Sequence, residues 1–109
     1  MSARNVRLVL TPLARQDLRD ILQYTAQTWG RERRDAYHVL VLGRLGELTA
    51  YPNLGRARDE VFPGCRSLRV EQHVAYYRTT DAEIIVARLL HARQDAVGIV
   101  SEPTAPAQP

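Results

Sequence analysis

From the N-terminus, Val6, Leu8 and Leu10 fall on one side of an alternating run, with Arg7 and Val9 on the other, the period-2 pattern of a short strand over 6–10. Thr11-Pro12 then opens a helix, with a hydroxyl at the cap and a proline at the first helical position, where its missing N–H costs nothing. Ala14, Leu18, Ile21, Leu22, Thr25 and Trp29 form one stripe of that helix, and Arg15, Gln16, Arg19, Asp20 and Gln23 lie mostly opposite. Gly30 ends it by supplying a left-handed residue without a Cβ. A second helix runs from about Glu32 to Ala50 and stops before Tyr51-Pro52, because the residue before a proline avoids helical angles.

The apolar residues of the second helix cover more than one stripe. Two helices and one small sheet cannot bury them all, so an exposed remainder among Val39, Val41 and Leu42 is expected to be a partner surface. Gly43 and Gly46 each cost about 0.5–1 kcal/mol relative to alanine in a helix interior, which predicts a close backbone approach to the first helix. Two long helices joined by one or two residues make an antiparallel hairpin, not the shorter, steeply crossed pair that reads DNA.

The segment 52–64 reads as a surface loop anchored by Leu54, Val61 and Phe62, in which Arg56, Arg58, Asp59 and Glu60 form a solvated charge cluster. Three strands follow. Arg66–Gln72 alternates, with Leu68 and Val70 inward; His73–Arg78 carries Val74, Tyr76 and Tyr77; Thr79–Ala82 supplies a turn. Ile84–Leu90 is apolar on both faces except at Arg88, as expected of a central strand covered on both sides. A weak apolar run, Ala96–Val100, precedes a Pro/Ala-rich tail. The organisation is therefore one α+β domain over 1–100: a strand, a two-helix antiparallel hairpin and a three-stranded antiparallel meander, with 101–109 a disordered tail.

Arg88 interrupts the last strand, and His91, Arg93 and Asp95 follow it closely. A guanidinium that cannot shed its charge needs an ion-pair partner, such as Asp95, Glu71 or Glu83, or a functional role with access to water. All fifteen basic residues are arginine, which excludes chemistry that needs a neutral lysine amine. The net charge of +3 permits an anionic partner without requiring one, since the acids are interspersed. A single Cys65 fits a reducing compartment. The run Leu8–Leu10 is too short for a signal peptide and no segment approaches the ~20 apolar residues of a membrane span, so a cytoplasmic protein without membrane contact is expected. His38 is expected to face solvent. Cys65, His73 and His91 lack zinc-ligand spacing, so no metal or other cofactor is expected.

The run Val6–Pro12 with Ala14, Leu18 and Ile21, then Pro52, Gly55 and Arg56, Arg66-Ser-Leu-Arg-Val70, Val74-Ala-Tyr-Tyr-Arg78 and Ile85-Val-Ala-Arg-Leu-Leu-His-Ala-Arg-Gln-Asp95 resembles the RelE/ParE toxin superfamily, its ParE branch in particular. The resemblance implies the toxin of a type II toxin–antitoxin pair that poisons DNA gyrase and blocks replication. It would be silenced by a cognate antitoxin, and would reach operator DNA only through that partner. A free sheet edge and an exposed helix flank suit such an antitoxin segment.

On this reading Arg69, Arg88, His91 and Arg93 contact the target, Asp95 holds an arginine in place, and no catalytic residue is assigned. Two alternatives stand beside it. One is a RelE-like messenger RNA endoribonuclease assembled from Glu71, His73, Tyr76, Arg69, Arg88 and His91, with His91 as acid or base. The other is an inactive toxin-like co-repressor module. The absence of lysine, the modest charge and the ending of the last strand favour gyrase.

Overall fold

The computed structural model describes residues 6–103. Its elements are β1 (Arg7–Leu10), α1 (Pro12–Trp29), α2 (Arg31–Ala50), β2 (Arg56–Ala57), β3 (Arg66–Val70), β4 (His73–Thr79) and β5 (Glu83–His91). Among the described residues these strands form one sheet in the order β1-β5-β4-β3-β2. The β3-β4-β5 meander is antiparallel as expected, but β1 pairs parallel to β5, so the sheet is mixed. The expected loop after α2 contributes a further short strand, β2, paired antiparallel with the start of β3. Residues 104–109, most of the expected disordered tail, lie outside the described residues.

Thr11 and Gly30 set the hairpin. The Thr11 hydroxyl accepts the Ala14 N–H at 3.1 Å and donates to the Ala87 carbonyl at 2.9 Å, tying the start of α1 to β5. Gly30 alone joins the helices, at φ 96°, a conformation that a Cβ would strain.

The sheet has a core on each face. On the helix side Ala14, Val41, Leu45 and Leu48 pack against Leu68, Tyr77, Ile84 and Val86. On the other side Phe62 and Cys65 from the loop and Ala96 and Val100 from beyond β5 cover Tyr76, Ala87 and Leu90. The weak apolar run after β5 is thus the lid of a second core, which explains why β5 is apolar on both faces. Burial pushes the Cys65 thiol up to about 11, which leaves it unreactive near neutral pH.

Two glycine expectations change. A Cβ on Gly43 or Gly46 would meet nothing within 4 Å, so neither permits a close helix approach. Gly55 is the constrained one: a Cβ there would lie 2.5 Å from the Ser67 carbonyl oxygen and 2.8 Å from the Tyr77 hydroxyl. That hydroxyl accepts the Gly55 N–H at 3.0 Å and donates to the Pro52 carbonyl at 2.8 Å, pinning the loop over the buried Tyr77 ring.

Candidate functional site

The hydrophobic surplus of α2 divides cleanly. Val41 lies on the stripe Val41, Leu45, Leu48 that faces the sheet and is only 2% exposed, which removes it from the expected partner surface. Val39 is 73% exposed and Leu42 is 42% exposed, and Leu40 stands out beside them. Val39 and Leu40 line a trough in two parts, and Leu42 is exposed beside Val39 on α2. A groove of about 420 Å³ is lined by Val39, Leu40, Gly43, Arg44, Glu47 and the end of β3. A cleft of about 570 Å³ lies between the two helices and the β3–β4 turn, with Tyr24, Trp29 and Leu40 among its walls and His73 and His91 in its floor. Leu40 and Glu71 line both parts, so the two run into one another.

The floor of the cleft is a polar cluster that the sequence pattern did not bring together. The Tyr37 hydroxyl is 2.7 Å from His73 Nδ1 and donates to the Val70 carbonyl at 3.2 Å. Both contacts are satisfied when His73 Nδ1–H donates to the phenol oxygen. Its ring packs edge-on against His91, with centroids 5.5 Å apart. Burial, and then the neighbouring His91, push the His73 imidazole below its ordinary range; burial pushes the Tyr37 phenol up. His91 Nδ1 accepts the Arg93 N–H at 3.1 Å, which places the neutral ring's proton on Nε2. The signal for Tyr37 was its place four residues before Val41 on the buried stripe of α2.

Arg88 is not free. It forms a two-point ion pair with Asp17 of α1, Nε to Oδ2 at 2.7 Å and Nη2 to Oδ1 at 3.0 Å, in place of any of the three expected partners. Asp17 Oδ2 also accepts the Leu89 N–H at 3.0 Å, three residues past Val86, the last partner of β1, where no strand is left to pair it. A β-bulge sets this up: Tyr76 pairs with Arg88 and Tyr77 with Val86, so Ala87 is extra. Glu83 is taken by Arg7 at 2.6 Å.

The remaining expected site residues are dispersed. Arg69 is exposed, and its Nε donates to the Glu71 carbonyl. Arg93 is exposed, and among the described residues no carboxylate lies within ion-pair reach of it. Asp95 does not hold an arginine; its Oδ1 accepts the Val97 N–H at 3.1 Å and closes a local turn. Tyr76 is buried on the sheet face away from the helices, with Arg58 over its ring at 5.5 Å. Arg58 also pairs with Glu60 at 2.5 Å, as a charge cluster in the loop would predict. His38 is half-buried rather than freely solvated. Of the six residues that a RelE-like reading would assemble, Glu71, His73 and His91 line one cleft and Arg69 bonds to the Glu71 carbonyl, while Tyr76 and Arg88 are engaged elsewhere.

The fold is a small α+β domain built on a helical hairpin, with an open trough between the helices and the β3–β4 turn. Residues 8–96 match the family described as ParE toxin of type II toxin-antitoxin system, parDE, and the chain belongs to that family. It is 36% identical over 90 residues to Toxin ParE1 of Mycobacterium tuberculosis, covering 82% of this chain and 92% of that protein. It is 32% identical over 89 residues to Toxin ParE of Escherichia coli, covering 80% and 85%. A chain of the chromosomal ParDE TA system from P. aeruginosa superposes with a TM-score of 0.70 at 25% identity, covering 80% of this chain and 96% of that one. Among the described residues no helix is long and apolar enough to cross a membrane.

Proposed function

We propose that this toxin acts by binding, inhibiting DNA gyrase when free, and that its cognate antitoxin silences it by laying a segment along α2 into the trough. The observation that carries the antitoxin half is the exposed apolar flank Val39, Leu40 and Leu42, of which Val39 and Leu40 line a continuous trough. A solvated domain of this size has little reason to expose such a strip unless another chain covers it. The gyrase half rests on family membership and on the exit of β5, where Arg93 is exposed without an ion pair and His91 is held by its own turn. An exposed guanidinium suits an acidic protein surface or a phosphate. Arg88 is assigned to the fold instead, and Arg69 to support of the β3–β4 turn.

Expression without the adjacent antitoxin, followed by assays of gyrase-dependent DNA breaks and ribosome-dependent RNA cleavage, tests the target. DNA breaks without RNA cleavage are expected; the converse would select the endoribonuclease. Arg93→Ala is expected to reduce toxicity with antitoxin affinity and melting temperature nearly unchanged. A large drop in its melting temperature would make Arg93 structural.

A further inference from the structure

Glu71 is the one described non-glycine residue with positive φ, at 55°. Val70 pairs directly with His73, leaving Glu71 and Gln72 as a two-residue hairpin loop. The first position of such a loop requires positive φ and is normally Gly, Asn or Asp, because a longer side chain crowds its own backbone there. The turn is nevertheless held at both carbonyls: Arg69 Nε donates to that of Glu71, and the Ala92 N–H donates to that of Gln72 at 2.8 Å. Strain that the surroundings enforce is characteristic of binding sites.

The carboxylate itself ties no part of the fold together. It is exposed and, among the described residues, takes part in no hydrogen bond or ion pair. It stands where the cleft and the groove join. The charges that line the trough balance, Asp20, Glu47 and Glu71 against Arg33, Arg44 and Arg69, and Glu71 is the carboxylate among them that makes no bond. Arg44 is paired with Glu47 at 2.8 Å, and Arg33 lies over the Trp29 ring. Asp20 on the opposite wall is bonded only to a neutral glutamine, Gln16.

We infer that Glu71 is a specificity residue for the antitoxin, and that its carboxylate receives an arginine or lysine of the segment lying in the trough. This rests on the antitoxin reading above. It adds the chemistry of one contact: a cation on the partner, set among apolar anchors that meet Val39, Leu40 and Leu42. The strained turn places the carboxylate where the partner passes, at a position that conformational preference alone would give to asparagine or glycine.

The test uses the full-length antitoxin encoded beside this gene, with affinity and melting temperature measured together for Glu71→Gln and Glu71→Asn. Gln keeps the strain and removes the charge; Asn removes both. Both variants are expected to bind about tenfold more weakly, as loss of a charge-assisted contact implies, and the loss should shrink at high salt. Asn should also melt about 4 °C higher, because the left-handed conformation suits it, while Gln melts like the unmodified chain. Alanine substitution of one basic residue in the antitoxin should reproduce the loss and be non-additive with Glu71→Gln. Retention of affinity within twofold by Glu71→Gln at low salt would overturn the inference while leaving the antitoxin reading intact. Failure of the unmodified chain to bind its antitoxin would overturn both.

Discussion

The junction of α1 with β5 and the trough along α2 hold polar groups in opposite ways. At the junction every group has a partner: Arg88 takes both oxygens of Asp17, Asp17 caps the Leu89 N–H, and Thr11 fastens the bulge carbonyl of Ala87. In the trough a strained turn presents an unpaired carboxylate beside exposed Val39 and Leu40. Both regions contain residues that interrupt a clean hydrophobic pattern. The closed region spends its polar groups on the fold, and the open one keeps them for another molecule.

Three changes would break or sharpen this contrast. The largest effect is expected in the closed corner. Asp17→Ala leaves the Arg88 charge and the Leu89 N–H without partners, and should cost on the order of 3–5 kcal/mol, lowering the melting temperature by about 15 °C or more. The double variant Asp17→Asn/Arg88→Met removes both charges and keeps an acceptor for Leu89. It should recover most of that stability and remain toxic; a folded but harmless double variant would return Arg88 to the target surface.

The glycines give the next effect, with opposite signs in the two regions. Gly55→Ala forces a methyl against the Ser67 carbonyl and the Tyr77 hydroxyl and should destabilise by about 1–3 kcal/mol in denaturant unfolding. Gly43→Ala meets open space on the trough side, where relief of helix entropy should stabilise by about 0.5–1 kcal/mol. A destabilising Gly43→Ala would mean that the groove is closed.

The smallest effect is with pH. Burial beside His91 favours the neutral form of His73, so the folded state resists its protonation more than the unfolded chain does. Above the ordinary imidazole pKa of about 6.5 both states are neutral and no penalty applies; stability should fall as pH drops from there through the depressed folded value. His73→Gln should flatten melting temperature against pH over that window. An unchanged slope would place the titrating group elsewhere.

Much of this architecture was legible in local pattern. Thr11-Pro12 and Gly30 mark the ends of α1, and the two-faced apolar run of β5 marks a central strand. The parallel pairing of β1 with β5 was not, because neither strand carries its neighbour in its own alternation. A two-residue strand such as β2 has no period to read. The partner of Arg88 was missed for a similar reason: Asp17 is separated from it by 71 positions and lies on a different element. Of the nearer acids, Glu83 is committed to Arg7 and Asp95 to its own turn, and Glu71 stands on the β3–β4 turn at the trough. The apolar residues of α2 taken together put Val41 on the partner surface; the 3.6-residue period linking it to Leu45 and Leu48 separates it from Val39 and Leu42. Glu71 was visible only as one acid among several until its backbone angle and its missing partner were known.

On the proposed function, the exposed flank of α2 belongs to the antitoxin rather than to the fold. The direct test is the antitoxin affinity of Val39→Asp/Leu42→Asp, measured with its melting temperature. A loss of affinity of about a hundredfold or more is expected, as removal of two apolar anchors implies, in a chain that melts within a few degrees of the unmodified one. Affinity retained within a factor of about two would contradict it.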